Sequence, residues 1–96
     1  MMKRIKSGYK IKDNVDLSKL VEYGFDPSPE FNEYYRYCRE DEYMWVNKYT
    51  RIIDMTSPDF FCIFSRCKRI LNKLIKDGLL EQVKENKLWN NKNITS

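Results

Sequence analysis

The sequence predicts a single-domain α+β fold: a short helix, a three-stranded antiparallel meander, a long amphipathic helix packed on it, and a short C-terminal strand. Three observations carry that expectation. A compact helix signature lies at 16–25, a tyrosine-rich stretch broken by turn signals occupies 31–54, and Ser57-Pro58-Asp59 opens a long amphipathic run. At 96 residues the chain is one domain's worth, with hydrophobic residues at 42% and charged residues at 33%, a globular balance rather than a disordered one.

Residues 1–8 read as a loose basic tail leading into an extended segment at Tyr9–Lys12. Asp16 then stands where a helix N-cap is needed, and Leu17, Leu20 and Val21 form an apolar stripe. Gly24 occupies the position that calls for a left-handed residue, and Phe25 is expected to fold back on Leu20 in a Schellman stop. Pro27 and Pro29 forbid continuation of that helix.

Tyrosine, tryptophan, valine and isoleucine crowd residues 31–54, the composition of strands. Arg39-Glu40-Asp41-Glu42 reads as a polar loop of solvated charge, and Asn47-Lys48 as a two-residue hairpin. This register sets Cys38 opposite Tyr43, Met44 opposite Arg51, and Val46 opposite Tyr49. One face then holds Tyr35, Tyr37, Met44, Val46, Tyr49 and Ile53, with Arg51 as its charge. The other holds Tyr34, Arg36, Cys38, Tyr43, Trp45, Thr50, Ile52 and Asp54. The first is the better core, although a one-residue slip exchanges the two.

Ser57 at a cap, Pro58 at N1 and Asp59 in the first turn predict a helix from Pro58 to Asp77, stopped by Gly78. At helical spacing Phe60, Ile63, Phe64, Cys67, Ile70, Leu71, Leu74 and Ile75 share the inward arc, while Cys62, Arg66, Arg69, Lys73 and Lys76 share the outward one. Leu79, Leu80 and Val83 are expected to add a short strand, with 85–96 a loose tail from which Leu88 and Trp89 are able to tuck back.

The chain has no histidine, which removes the commonest general base and the commonest metal ligand. Its three cysteines fit a reducing compartment, and the separation of Cys62 from Cys67 is not a zinc spacing. The expectation is a binder rather than an enzyme, without cofactor or metal. The longest apolar run, Phe60 to Phe64, is far short of a membrane span, and no signal-peptide core follows the basic start, so the reading is cytoplasmic. The net charge of +4 is segregated: 1–21 and 43–96 are basic, 22–42 acidic, which implies separate basic and acidic surfaces.

The segment 11–25, from Ile11-Lys12-Asp13-Asn14-Val15-Asp16-Leu17 to Tyr23-Gly24-Phe25, resembles the opening of small phage and prophage proteins of low-GC Gram-positive bacteria, which read approximately VDLKELEKYGF. Leu74-Ile75-Lys76-Asp77-Gly78-Leu79-Leu80-Glu81-Gln82-Val83 is similar to that group's LYDLIKDGLVEKV. The segment from Ser57 to Lys68 departs from the pattern. The resemblance implies a phage accessory protein acting stoichiometrically in the host cytoplasm, on a host protein or ribonucleoprotein complex, as an inhibitor of host defence of the anti-CRISPR kind or as an adaptor of host machinery.

Two candidate surfaces follow. Tyr34, Arg36, Tyr43 and Trp45 form an aromatic and arginine patch of the kind that anchors protein interfaces, and such rings also stack bases. The competing reading is that the N-terminal helix covers this face. Arg66, Arg69, Lys73 and Lys76 are a basic stripe able to meet phosphates or an acidic partner, the bland reading being a solvated helix face. Cys62 on the same stripe allows a homodimer pairing two helices. A rival from another class is a winged helix, with 66–83 as recognition helix and first wing strand binding DNA. Against it, strands occupy the place of the helices that fold requires.

Overall fold

The computed structural model describes residues 3–58 and 62–83. Among these residues six strands form one antiparallel sheet: β1 (Lys3–Ile11), β2 (Asp26–Pro27), β3 (Tyr34–Arg39), β4 (Glu42–Asn47), β5 (Ile52–Ser57) and β6 (Leu80–Gln82), in the order β2-β3-β4-β5-β1-β6. A 3-10 helix, Leu17–Tyr23, follows β1, and the α-helix α1, Ser65–Lys76, precedes β6.

This corrects the expected three-stranded meander with a long helix. The sheet has six strands because the supposed basic tail is β1, an interior strand paired with both β5 and β6. Ile5 points inward while Arg4 and Lys6 are exposed, so the strand alternates with cations on its outer face. The alternation is broken between Lys6 and Lys10, where the register with β5 shifts. Gly8, at φ 81°, supplies the left-handed residue in that irregularity. Ser7 Oγ stitches the gap, donating to the Ile53 carbonyl at 2.8 Å and accepting from the Tyr9 N–H at 3.1 Å.

The helix signature at 16–25 forms a 3-10 helix. Asp16 caps it, accepting from the Ser18 N–H at 2.9 Å, and Gly24 closes it at φ 95°. The Phe25 N–H reaches the Leu20 carbonyl at 3.2 Å, and both side chains are fully buried, as a Schellman stop requires.

The loop between β4 and β5 is longer than the two-residue hairpin expected. Val46 pairs with Ile53 and Met44 with Met55, each four residues beyond the expected partner. The Asn47 carboxamide oxygen accepts from the Tyr49 and Thr50 N–H groups, closing a wider turn. Arg51 is not the partner of Met44. At φ 65° its guanidinium turns to the Lys12 and Val15 carbonyls, 2.8 and 2.6 Å away. Tyr49 is 80% exposed rather than core.

The helix is also shorter than expected. Ser57 does not cap it: paired with Lys3 at the end of β5, Ser57 is buried. Residues 59–61, with Phe60 of the expected inward arc, lie outside the described residues, as does the tail 84–96. Cys62 precedes the helix, its sulfur accepting from the Phe64 N–H at 3.4 Å, and so is not part of an outward stripe. Phe64, Cys67, Leu71 and Leu74 are buried as expected, but Ile63 is 71% exposed. Gly78 ends the helix at φ 80°.

What starts α1 is Glu42. Phe64 at the N-cap position offers no side-chain cap. The Glu42 carboxylate, on β4 and only 4% exposed, accepts from the Arg66 and Cys67 N–H groups at 2.8 and 3.0 Å. The Arg66 guanidinium folds back onto Glu42 and Glu40 at 3.3 and 3.1 Å. The charge thus meets two orphan donors and the positive end of the helix. Burial first, and then the nearby Glu42 carboxylate, push the Cys67 thiol up to about 12.

The 3-10 helix and α1 share one layer. Leu20, Phe25, Leu71 and Leu74 join Met44 and Ile53 of the sheet in one core. Across their seam Tyr23 donates to Asp77 at 2.6 Å, and Lys73 sits 5.6 Å from the Tyr23 ring centroid.

We expect Glu42→Ala to cost about 1–3 kcal/mol in urea unfolding, because two buried donors and Arg66 lose their acceptor. Glu42→Gln keeps one acceptor oxygen and should recover part of that loss. Leu71→Ala should cost about 2–5 kcal/mol. The Asp77 hydrogen bond raises the Tyr23 phenol to about 12. Its contribution is therefore present below the phenol's ordinary value of about 10 and lost as pH rises through about 12. In an ultraviolet tyrosinate titration, Asp77→Asn should move one tyrosine back toward the ordinary value.

Candidate functional site

With both helices on one side, the other side of the sheet carries no helix or strand among the described residues. Strand alternation decides what it presents. Cross-strand pairs set Arg36 beside Trp45, Trp45 beside Asp54, and Asp54 beside Lys6. A parallel row runs from Cys38 through Tyr43 and Thr56 to Arg4. The expected non-core face is therefore the open one, although the hairpin register differs.

Tyr34, Tyr43 and Trp45 come together there. Tyr43 is stacked on Trp45 with centroids 6.0 Å apart and planes 13° apart. Tyr34 stands nearly perpendicular to Trp45, at 6.0 Å and 84°. Phe31, from the loop between β2 and β3, completes a corner with both, at 6.5 Å and 82° to Tyr34 and 5.9 Å and 73° to Trp45. The Trp45 indole N–H donates to Thr56 Oγ1 at 2.8 Å, which fixes the ring on the sheet. The Tyr43 phenol is pushed up, first by the charge of the neighbouring Cys38. Arg36 flanks this group, with its guanidinium drawn to Glu30 at 3.2 Å.

The corner borders a cleft of about 450 Å³ lined by Arg4, Phe31, Tyr34, Trp45, Asp54 and Thr56. A second cleft of about 220 Å³ adjoins it, sharing Arg4, Tyr34 and Asp54 and adding Lys6, Asn47, Thr50 and Ile52. Between the two sits Asp54. Its Oδ2 accepts from Arg4 at 2.7 Å, whereas its buried Oδ1 has no hydrogen-bond partner among the described residues. The Asp54 side chain is 14% exposed against 62% for Arg4.

The basic stripe is less available than its spacing implies. Arg66 is engaged with Glu40 and Glu42, and Lys73 lies over Tyr23. Arg69 and Lys76 are exposed, on the layer away from the aromatic cleft. Glu42, read as loop charge, is structural instead.

Sequence reasoning placed Asp54 on the right face but not in a site, and missed Phe31, Arg4, Lys6 and Thr56 as contributors. Phe31 carried one signal, an aromatic residue in a proline-bounded loop. Arg4 carried none, since it meets Asp54 across 50 positions of chain.

Among the described residues, no group of three or more acidic or cysteine side chains is arranged to hold a metal ion, and no helix is long and apolar enough to cross a membrane. Compared with known proteins, the chain matches no family model, no curated protein and no solved structure.

Asp54→Asn should change unfolding free energy by less than about 1 kcal/mol, because its partner Arg4 is largely solvated and such pairs contribute little. Calorimetric and urea melts of this variant check that Asp54 is dispensable to the fold.

Proposed function

We propose that the chain is a stoichiometric binding factor that uses the open sheet face around Trp45 to engage a protein or ribonucleoprotein complex. One observation carries this reading: a sheet covered on one face only, with Phe31, Tyr34, Tyr43 and Trp45 gathered on the other. A part-exposed aromatic group of this kind, with Phe31 exposed and Tyr34, Tyr43 and Trp45 half-buried, rimmed by arginine, has the composition of an interaction hot spot. Following the resemblance of 11–25 and 74–83, we place the protein among phage-encoded accessory factors of the host cytoplasm, as an inhibitor of a host defence complex of the anti-CRISPR kind.

Binding is favoured over catalysis on the chemistry available. The chain lacks histidine, the Cys67 thiol is buried and held protonated, and Glu42 is committed to the helix start. A winged helix is the less favoured alternative. Strands β3 to β5 precede α1 where helices are required, and β6 pairs with β1 rather than with a second wing strand.

Affinity capture from a low-GC Gram-positive lysate, with and without nuclease, tests the proposal. We expect Tyr34→Ala with Trp45→Ala, once shown to be folded by circular dichroism and a cooperative melt, to weaken capture at least tenfold, as loss of a buried ring anchor does. Arg69→Ala with Lys76→Ala should change it less than threefold. The opposite pattern moves the interface to α1.

A further inference from the structure

The two adjoining clefts differ in chemistry in a way that narrows what they can take. The larger is walled by three rings from two directions, with a carboxylate at its floor. The smaller is polar and basic, with Lys6, Asn47 and Thr50. Arg4, Tyr34 and Asp54 belong to both.

Three classes of occupant fit aromatic walls, and the charges separate them. An alkylammonium or guanidinium group would suit the rings, but Arg4 lies 2.7 Å from Asp54 and Lys6 faces Asp54 across the ladder, so a further cation meets charge already compensated. An aliphatic side chain would fill the larger cleft and offer no polar partner to Lys6, Asn47 and Thr50 of the adjoining one. A nucleobase is neutral and flat, stacks on aromatic faces, and carries N–H donors along its edge. Its phosphate, one sugar away, would be met by cations rather than repelled.

We propose that these clefts form a subsite for one unpaired nucleotide of a single-stranded RNA. The base enters against Trp45, Tyr34 and Phe31. Arg4 and Lys6 face the phosphate. Asn47 and Thr50 give the smaller cleft polar groups that suit a ribose 2′-hydroxyl, which is why RNA rather than DNA is the assigned ligand. This rests on the reading of the open face as an interface, and names the RNA of a ribonucleoprotein as what that face contacts.

The test is fluorescence anisotropy of labelled RNA hexamers of adenosine, cytidine or uridine against the full chain, with a DNA hexamer of mixed sequence and a lysine- and arginine-rich peptide as the other arms. A basic protein binds RNA weakly in any case, so the variants decide. We expect a Kd of roughly 1–100 μM for RNA. Tyr34→Ala should weaken it about 5- to 150-fold, the loss of one stacked base. Lys6→Gln should flatten the logarithmic salt slope by about 0.7, one phosphate of a single strand. Arg69→Gln, on the far layer, should leave the affinity within twofold. If Tyr34→Ala does not fold, the assigned Trp45 indole N–H resonance of the wild-type protein should shift on titration with cytidine monophosphate.

Binding that Arg69→Gln weakens and Tyr34→Ala does not would overturn the subsite. So would preference for the peptide, which assigns the cleft to a cation, or preference for DNA, or a Kd above roughly 1 mM for every hexamer. The two proposals fail separately. If hexamers do not bind yet capture from lysate still depends on Trp45, the open face is an interface and the nucleotide subsite is wrong. If hexamers bind through the cleft and no complex is captured, the subsite stands and the complex-binding reading is wrong.

Discussion

The arrangement depends on a single buried carboxylate. Glu42 belongs to β4, yet it satisfies the first N–H groups of α1, a helix with no cap of its own. In a protein of this size one α-helix does most of the covering, so the point at which it starts decides which face of the sheet becomes core. Glu42 sets that point on β4. Arg66 closes over the pair, and the carboxylate is stabilised by backbone donors, a guanidinium and the helix dipole together. A charge so well satisfied is an attachment rather than a reactive group.

From that attachment follows the asymmetry of the molecule. The 3-10 helix and α1 seal the inner face with Leu20, Phe25, Leu71 and Leu74. The outer face is then managed by chemistry instead of cover. Arg36 with Glu30, Arg4 with Asp54, and Lys10 with Asp13 and Glu81 place paired charges along it. These pairs contribute little to stability. Their effect is to keep a surface containing four rings hydrated around its margin.

Local signals in the chain were legible where the physics is local. Asp16, Gly24 and Phe25 specify a turn of helix and its stop through neighbours a few residues away, and Gly78 does the same for α1. The inward set Tyr37, Met44, Val46 and Ile53 was also readable, even though the hairpin was misplaced, because the displacement was four residues and an even shift preserves strand alternation. Long-range pairings were not legible. β1 looked like a basic tail because its outer positions are cations and its register breaks at Gly8. Ser57 carried every sign of a helix cap, but β1 extends the ladder to it and the ladder prevails. Glu42 sat in an acidic run with no hint that a helix start would be built upon it. The aromatic patch was half visible: Tyr34, Tyr43 and Trp45 follow from alternation, whereas Phe31 and Arg4 arrive from a loop and a strand that spacing alone cannot bring near.

The borders of the sheet have a consequence for how recognition can evolve. One border is β2, which pairs over two residues, one of them Pro27, and the other is β6, which pairs over three. Among the described residues, neither offers a length of free backbone on which another chain could add itself as a strand. Main-chain pairing tolerates sequence change, since every residue carries the same amide. A partner met through the side chains of an open face is met through identities that can be altered one at a time. Single substitutions at such a contact would then be enough to abolish recognition or restore it.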